Sequence, residues 1–157
     1  MSMRWATKAS RPVNRFVLCA VAAGVATLSG IGPASAASED VRVTYESSIS
    51  TNSGNAYEVE ITATVTRIGD HYELKGKVKS TCIHSTGPDQ KWGLAFGSSA
   101  ESWRYEEGAC GDRRTTYEDI NVSGPLLPDG RVYLQAGAFG GNGFGSWGWG
   151  TKRSVWV

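Results

Sequence analysis

The run Tyr57-Glu58-Val59-Glu60-Ile61-Thr62-Ala63-Thr64-Val65-Thr66 alternates apolar and polar residues without a break. Successive side chains on an extended strand point to opposite faces, so this pattern predicts a strand with one buried and one wet side. A second alternating run, His71-Tyr72-Glu73-Leu74-Lys75-Gly76-Lys77-Val78-Lys79, follows Gly69-Asp70. A glycine-first pair suits a type II′ turn, which joins the two runs as a hairpin. The turn sets the register: Ile68 opposite His71, Val65 opposite Leu74, Ala63 opposite Gly76 and Ile61 opposite Val78. On the other face Thr64 meets Lys75, Thr62 meets Lys77, and Glu60 meets Lys79 as a pair of opposite charges. A slip of one residue would spoil both faces at once, so the two patterns specify a single pairing. The same parity points Cys82 towards the core.

Outward from this hairpin the sequence keeps the same character. Val41, Val43 and Tyr45 alternate with Arg42, Thr44 and Glu46, ahead of the loop residues Thr51-Asn52-Ser53-Gly54-Asn55. Trp92, Leu94 and Phe96 alternate through Lys91–Gly97, and a strand from Arg131 to Ala138 follows the turn signal Pro128-Asp129-Gly130. A last strand runs from about Ser146 to Val157, and no segment carries a 3.6-residue apolar stripe. Seven or eight short strands in about 120 residues predict an all-β fold, an antiparallel two-sheet sandwich of immunoglobulin-like or related Greek-key type.

The first 36 of the 157 residues read as a secretory signal. Arg4, Lys8, Arg11 and Arg15 form a basic leader, an apolar run follows from Phe16 to about Leu28, and Ala34-Ser35-Ala36 supplies a small-residue cleavage site. The apolar run is broken by Gly24, Ser29 and Gly30 and falls short of the roughly 20 residues a membrane span needs. The expected product is a released, monomeric single domain of residues 37–157. Removing the four leader cations leaves 12 Lys and Arg against 15 Asp and Glu, a net charge of about −3. With no basic patch, nucleic acid is not an expected partner. The remaining cysteines, Cys82 and Cys110, read as one disulfide in an exported chain. Two sulfurs with no nearby histidine pair do not fill a tetrahedral metal shell, so neither metal nor cofactor is expected.

Gly143-Phe144-Gly145-Ser146-Trp147-Gly148 matches the dinucleotide fingerprint letter for letter, yet no helix pattern follows it and no acidic residue lies twenty positions on. A glycine-rich loop entering the final strand accounts for it better. Trp147 and Trp149 then share one face, opposite Gly148 and Gly150, where a neighbouring chain or ring can approach closely. Core and display both stay open for these tryptophans, and the usual burial of large aromatics favours the core.

Catalytic chemistry has little to stand on. His71 sits beside a turn, His84 lies two residues from Cys82, and no serine occupies a G-x-S-x-G elbow. Glu106-Glu107 and Glu118-Asp119 are adjacent pairs that a strand sends to opposite faces. A small hydrolase using His84 with Glu106 or Asp112 is the enzyme alternative. Binding is the better-supported class, because five tryptophans and six tyrosines follow residue 36 and such rings make flat, low-entropy contact area.

Ser102-Trp103-Arg104-Tyr105, with Cys82 before it and Cys110 after it, resembles the hallmark of the small secreted α-amylase inhibitors of the tendamistat type. The resemblance implies an all-β sandwich that presents the triplet on a loop. Arg104 would enter an acidic glycosidase cleft while Trp103 and Tyr105 fill neighbouring sugar subsites. Here the domain is longer, has one cysteine pair instead of two, and places Cys82 twenty-one residues before Trp103. The competing reading pairs Lys91–Gly97 with the triplet across Gly97-Ser98-Ser99-Ala100, so that Phe96 meets Trp103 and Leu94 meets Tyr105. Both aromatics then turn inward and Arg104 outward, the arrangement that alternating aromatics favour. The expected function is thus a secreted non-enzymatic binder through Trp103, Arg104, Tyr105, Trp147 and Trp149. Its partner would be a glycosidase such as α-amylase or, alternatively, a glycan or surface.

Overall fold

The computed structural model describes residues 37–49, 55–83, 90–111, 113–140 and 145–157, and the predicted signal segment lies outside them. The described elements are nine strands: β1 (Ser38–Ile49), β2 (Asn55–Ile68), β3 (His71–Ile83), β4 (Lys91–Gly97), β5 (Arg104–Ala109), β6 (Thr116–Pro125), β7 (Arg131–Phe139), β8 (Trp147–Trp149) and β9 (Arg153–Trp156). They form two antiparallel sheets. The first has the order β1-β2-β3-β6, and the second the order β5-β4-β7-β8 with β9 also paired to β7. β1 and β2 lie across β7, and β1 also touches β8 and β9, which makes the packing a sandwich.

The β2–β3 hairpin has the register read from the sequence, from Ile68↔His71 through Ile61↔Val78 to Glu60↔Lys79. Gly69 takes a φ of 64° and Asp70 is not among the positive-φ residues, as a type II′ turn requires. Val59, Ile61 and Val65 from β2 and Tyr72, Leu74 and Val78 from β3 are buried, while Thr62, Thr64, Lys75 and Lys77 face solvent. Glu60 and Lys79 face each other as read and attract, but each makes its close contact with another residue. β1 places Arg42 diagonally beside Glu60, and the guanidinium takes the carboxylate at 2.8 Å. Lys79 turns instead to Glu58, 3.1 Å away.

The disulfide Cys82–Cys110 is present, with a Cα–Cα distance of 5.7 Å. It ties the end of β3 in the first sheet to the residue following β5 in the second. Both flanks are fixed by backbone bonds, Cys82 N–H to Gly111 C=O at 2.9 Å and Arg113 N–H to Cys82 C=O at 3.0 Å.

β6 has no counterpart in the sequence reading. It runs along β3 as an edge strand, with only Ile120 and Gly124 buried and Tyr117 69% exposed, so its apolar alternation is too sparse to notice. The single last strand is also corrected, because it divides into β8 and β9. β8 pairs Gly137 with Trp149, whereas β9 pairs Leu134 with Arg153, so the C-terminal chain carries one extra residue between them. That β-bulge shifts the parity. Trp156 on β9 pairs with Arg131 and so joins Trp147 and Trp149 on the outer face of the second sheet.

Candidate binding face of the second sheet

β4 turns Trp92, Leu94 and Phe96 into the core and leaves Gly93 and Ala95 on the outer side. Gly137 of β7 lies directly opposite Gly93. Two glycines side by side leave a strip of backbone without side chains, and aromatic rings can settle there. A Cβ on Gly93 would stand 2.5 Å from Trp147 Cζ3, and one on Gly137 would stand 2.5 Å from Trp149 Cε3. Both indoles therefore rest on bare backbone.

The rings continue as a row. Trp147 and Trp149 stack at 5.2 Å and 18°, Phe139 meets Trp147 edge-on at 5.7 Å, and Tyr105 leans on Trp149 at 5.8 Å. Trp147 and Trp149 are half-buried, and Tyr105 is 67% exposed. The expectation that these tryptophans fill the core is overturned by what lies on the other side of β8. A Cβ on Gly148 would fall 1.9 Å from Tyr45 Oη, and one on Gly150 would fall 2.0 Å from Thr44 C=O. β1 is pressed against that side, so the indoles have only the outer face to occupy.

The inward reading of the Trp-Arg-Tyr triplet is corrected by one residue of register. β4 and β5 pair Phe96 with Arg104, Ala95 with Tyr105 and Leu94 with Glu106. The connection is longer than a four-residue turn because its serines hold it together. Ser99 N–H donates to Ser102 Oγ at 2.8 Å, and Ser98 Oγ donates to Pro125 C=O at 2.7 Å. The shift sends Tyr105 outward beside Trp149 and puts Arg104 on the side of Phe96. Arg104 stays exposed at the sheet edge, donating to Ser123 C=O at 3.4 Å. Trp103 is half-buried in the link before β5. Tyr105, Trp147 and Trp149 thus come together, while Arg104 leaves on the opposite face.

Tyr105, Glu106, Glu107, Trp147 and Trp149 line a recess of about 380 Å³. Glu107 is ion-paired to Lys91, and Glu106 has no ion-pair partner among the described residues. A second aromatic group lies further along β7. The Arg131 guanidinium sits 4.7 Å from the Trp156 ring and 5.8 Å from the Tyr133 ring, and Lys152 Nζ sits 5.1 Å from Tyr133.

Among the described residues no constellation of the enzyme candidates is assembled. His84 and Asp112 lie outside the described residues, and Glu106 is exposed on β5. His71 pairs with Asp70 on the hairpin turn at 2.5 Å, an exposed contact that holds the Asp70 carboxyl below its ordinary value. Asp119 pairs with Lys77 at 3.0 Å. Among the described residues no group of three His, Cys, Asp or Glu side chains could hold a metal ion.

The sequence reading passed over Phe139, Gly93, Gly137 and the placement of Glu107, opposite Gly93, beside the rings. A signal for the glycines existed in Lys91–Gly97, where every residue between the large apolar ones is glycine or alanine. Comparison with known proteins adds no relative: no family model, curated protein or solved structure matches this chain.

Proposed function

We propose that this chain is a secreted, non-enzymatic protein that binds carbohydrate on the outer face of its second sheet. One observation carries the reading: Trp147 and Trp149 are stacked, seated on Gly93 and Gly137, and half open to solvent beside Tyr105. Their rotamers are held before any ligand arrives, so little side-chain entropy is lost on binding. Flat apolar faces with the Glu107 carboxylate beside them suit a sugar ring, which is apolar on its C–H faces and rimmed with hydroxyls. Export is supported by the basic leader, the apolar run and Ala34-Ser35-Ala36, together with a disulfide of the kind oxidising compartments keep. No described helix is long and apolar enough to cross a membrane.

Calorimetric titration with a panel of neutral oligosaccharides tests this. At least one should bind, and Trp149→Ala should weaken it about tenfold or more while the protein stays folded. An athermal, flat response across glucose-, xylose-, galactose- and N-acetylglucosamine-based oligomers would remove the carbohydrate reading.

Inhibition of a secreted glycosidase such as α-amylase is the second reading. The exposure of Tyr105 and Arg104 favours it. It ranks lower because β5 directs those two side chains to opposite faces, whereas one cleft would have to receive both. Nanomolar α-amylase inhibition abolished by Arg104→Ala would raise it above the first.

A further inference from the structure

Resting on the carbohydrate reading, we infer that the glycan this face prefers is acidic, a polymer of uronic acid whose carboxylates meet Arg131 and Lys152. Arg42, Lys75, Lys77, Lys79 and Lys91 pair with Glu60, Glu73, Asp119, Glu58 and Glu107 in turn. Arg131 and Lys152 have no ion-pair partner among the described residues and are held by aromatic rings instead. Arg131 lies over Trp156 and Lys152 over Tyr133, on the face that also carries Trp147 and Trp149. The Arg131 side chain donates from Nη1 to Tyr133 Oη at 3.1 Å, and its Nη2 and the Lys152 ammonium have no acceptor among the described residues. Two carboxylates stand nearby, and both bond to backbone. Asp129 accepts from Arg131 N–H at 3.2 Å, and Glu39 accepts from Trp156 N–H at 3.1 Å. The rings thus fix where two cations sit without answering their charge.

Both aromatic groups stand along β7. From Gly137, where Trp149 rests, to Arg131, which pairs with Trp156, the strand extends roughly 20 Å at its ordinary rise. A ligand that reaches both groups is longer than a disaccharide. At the Trp149 end Lys91 and Glu107 cancel one another, so flat ring faces dominate. At the other end the uncompensated cations dominate, beside a Trp156 ring that is 54% exposed. A uronate answers both ends, because its C–H face stacks and its planar carboxylate matches a guanidinium fork. It carries one charge per sugar. The net charge of about −3 on residues 37–157 disfavours a densely charged polymer such as a sulfated glycan.

The test titrates oligomers of galacturonate, glucuronate, mannuronate and guluronate into the full secreted domain at neutral pH, each beside its methyl ester. Esterification removes the charge and keeps the sugar backbone. At least one acid should bind about tenfold more tightly than its ester. That advantage should shrink at high salt and in Lys152→Gln, a change at an exposed side chain. Lys75→Gln removes the same charge from the first sheet and should leave the advantage in place. An equal loss in Lys75→Gln would reduce the effect to net charge and overturn the inference. Esters that bind as tightly as the acids would overturn it and leave stacking of neutral sugars standing. Tighter binding of a sulfated glucan than of every uronate would overturn it in favour of sulfate. An equally tight complex with polyglutamate or a single-stranded oligonucleotide would show that the face selects anions in general, and would overturn the assignment to a uronate. No binding of any acid, ester or neutral glycan would remove the carbohydrate reading together with the inference.

Discussion

Replacing Gly93 by alanine would test the seat of the aromatic row directly. The added methyl would lie 2.5 Å from Trp147 Cζ3, 2.9 Å from Cη2 and 3.3 Å from Cε3. Carbon atoms in contact prefer about 3.5–4.0 Å, so the indole must retreat by about 1 Å. Only a side chain obstructs the methyl, so the ring moves and the strands stay. Overpacking of this kind costs about 1–3 kcal/mol. A gain of about 0.5–1 kcal/mol from removing a strand glycine offsets part of that. The net loss should be about 1–2 kcal/mol, read as a lower urea midpoint at unchanged slope. The displaced ring also loses its stack on Trp149 and its edge contact with Phe139, so the indole exciton signal in circular dichroism should collapse. Affinity for the glycan should fall about tenfold, because the platform is no longer level. A Gly93→Ala protein with raised stability, an intact exciton signal and unchanged binding would refute the reasoning, since the Trp147 ring would then not be resting on Gly93.

Three further outcomes are expected. Replacing Cys82 and Cys110 by serine opens a crosslink spanning 28 residues and should cost about 3.6 kcal/mol by the loop-entropy relation, measured by thermal or urea unfolding. Burial pushes the Tyr72 phenol up to about 12 from an ordinary value near 10, with the Arg104 charge opposing. The folded value is the higher one, so the contribution is fully present below pH 10 and is lost as pH rises towards 12. Stability should therefore fall by roughly 2–3 kcal/mol across that window, and Tyr72→Phe should abolish this part of the alkaline decline. Gly69→Ala meets no atom within 4 Å but keeps a φ of 64°. It should cost about 1 kcal/mol through backbone strain alone, with Gly69→Asn milder.

How much of this was legible depended on whether the deciding contact was local. The β2–β3 hairpin could be read because Gly69-Asp70 and two independent face patterns agree on one register. β6 was not legible because it is an edge strand that buries little, so few of its residues need to be apolar. The register of β5 depended on hydrogen bonds from Ser98, Ser99 and Ser102 that lengthen the connection, and no alternation pattern records them. Alternation correctly put Trp147 and Trp149 together opposite Gly148 and Gly150. Which of those two faces is the core was settled by Tyr45 and Thr44, about a hundred residues earlier in the chain. The bulge before β9 escaped notice for the same reason, and with it the placement of Trp156.

The central claim is that the outer face of the second sheet receives the ligand. Titration of the ¹⁵N-labelled domain with an oligosaccharide that it binds, followed through the tryptophan indole N–H signals, tests it most directly. The account predicts progressive shifts at Trp147 and Trp149 and none at Trp92, which is 3% exposed on the inner face. Shifts confined to residues of the first sheet, with Trp147 and Trp149 unmoved at saturation, would contradict it.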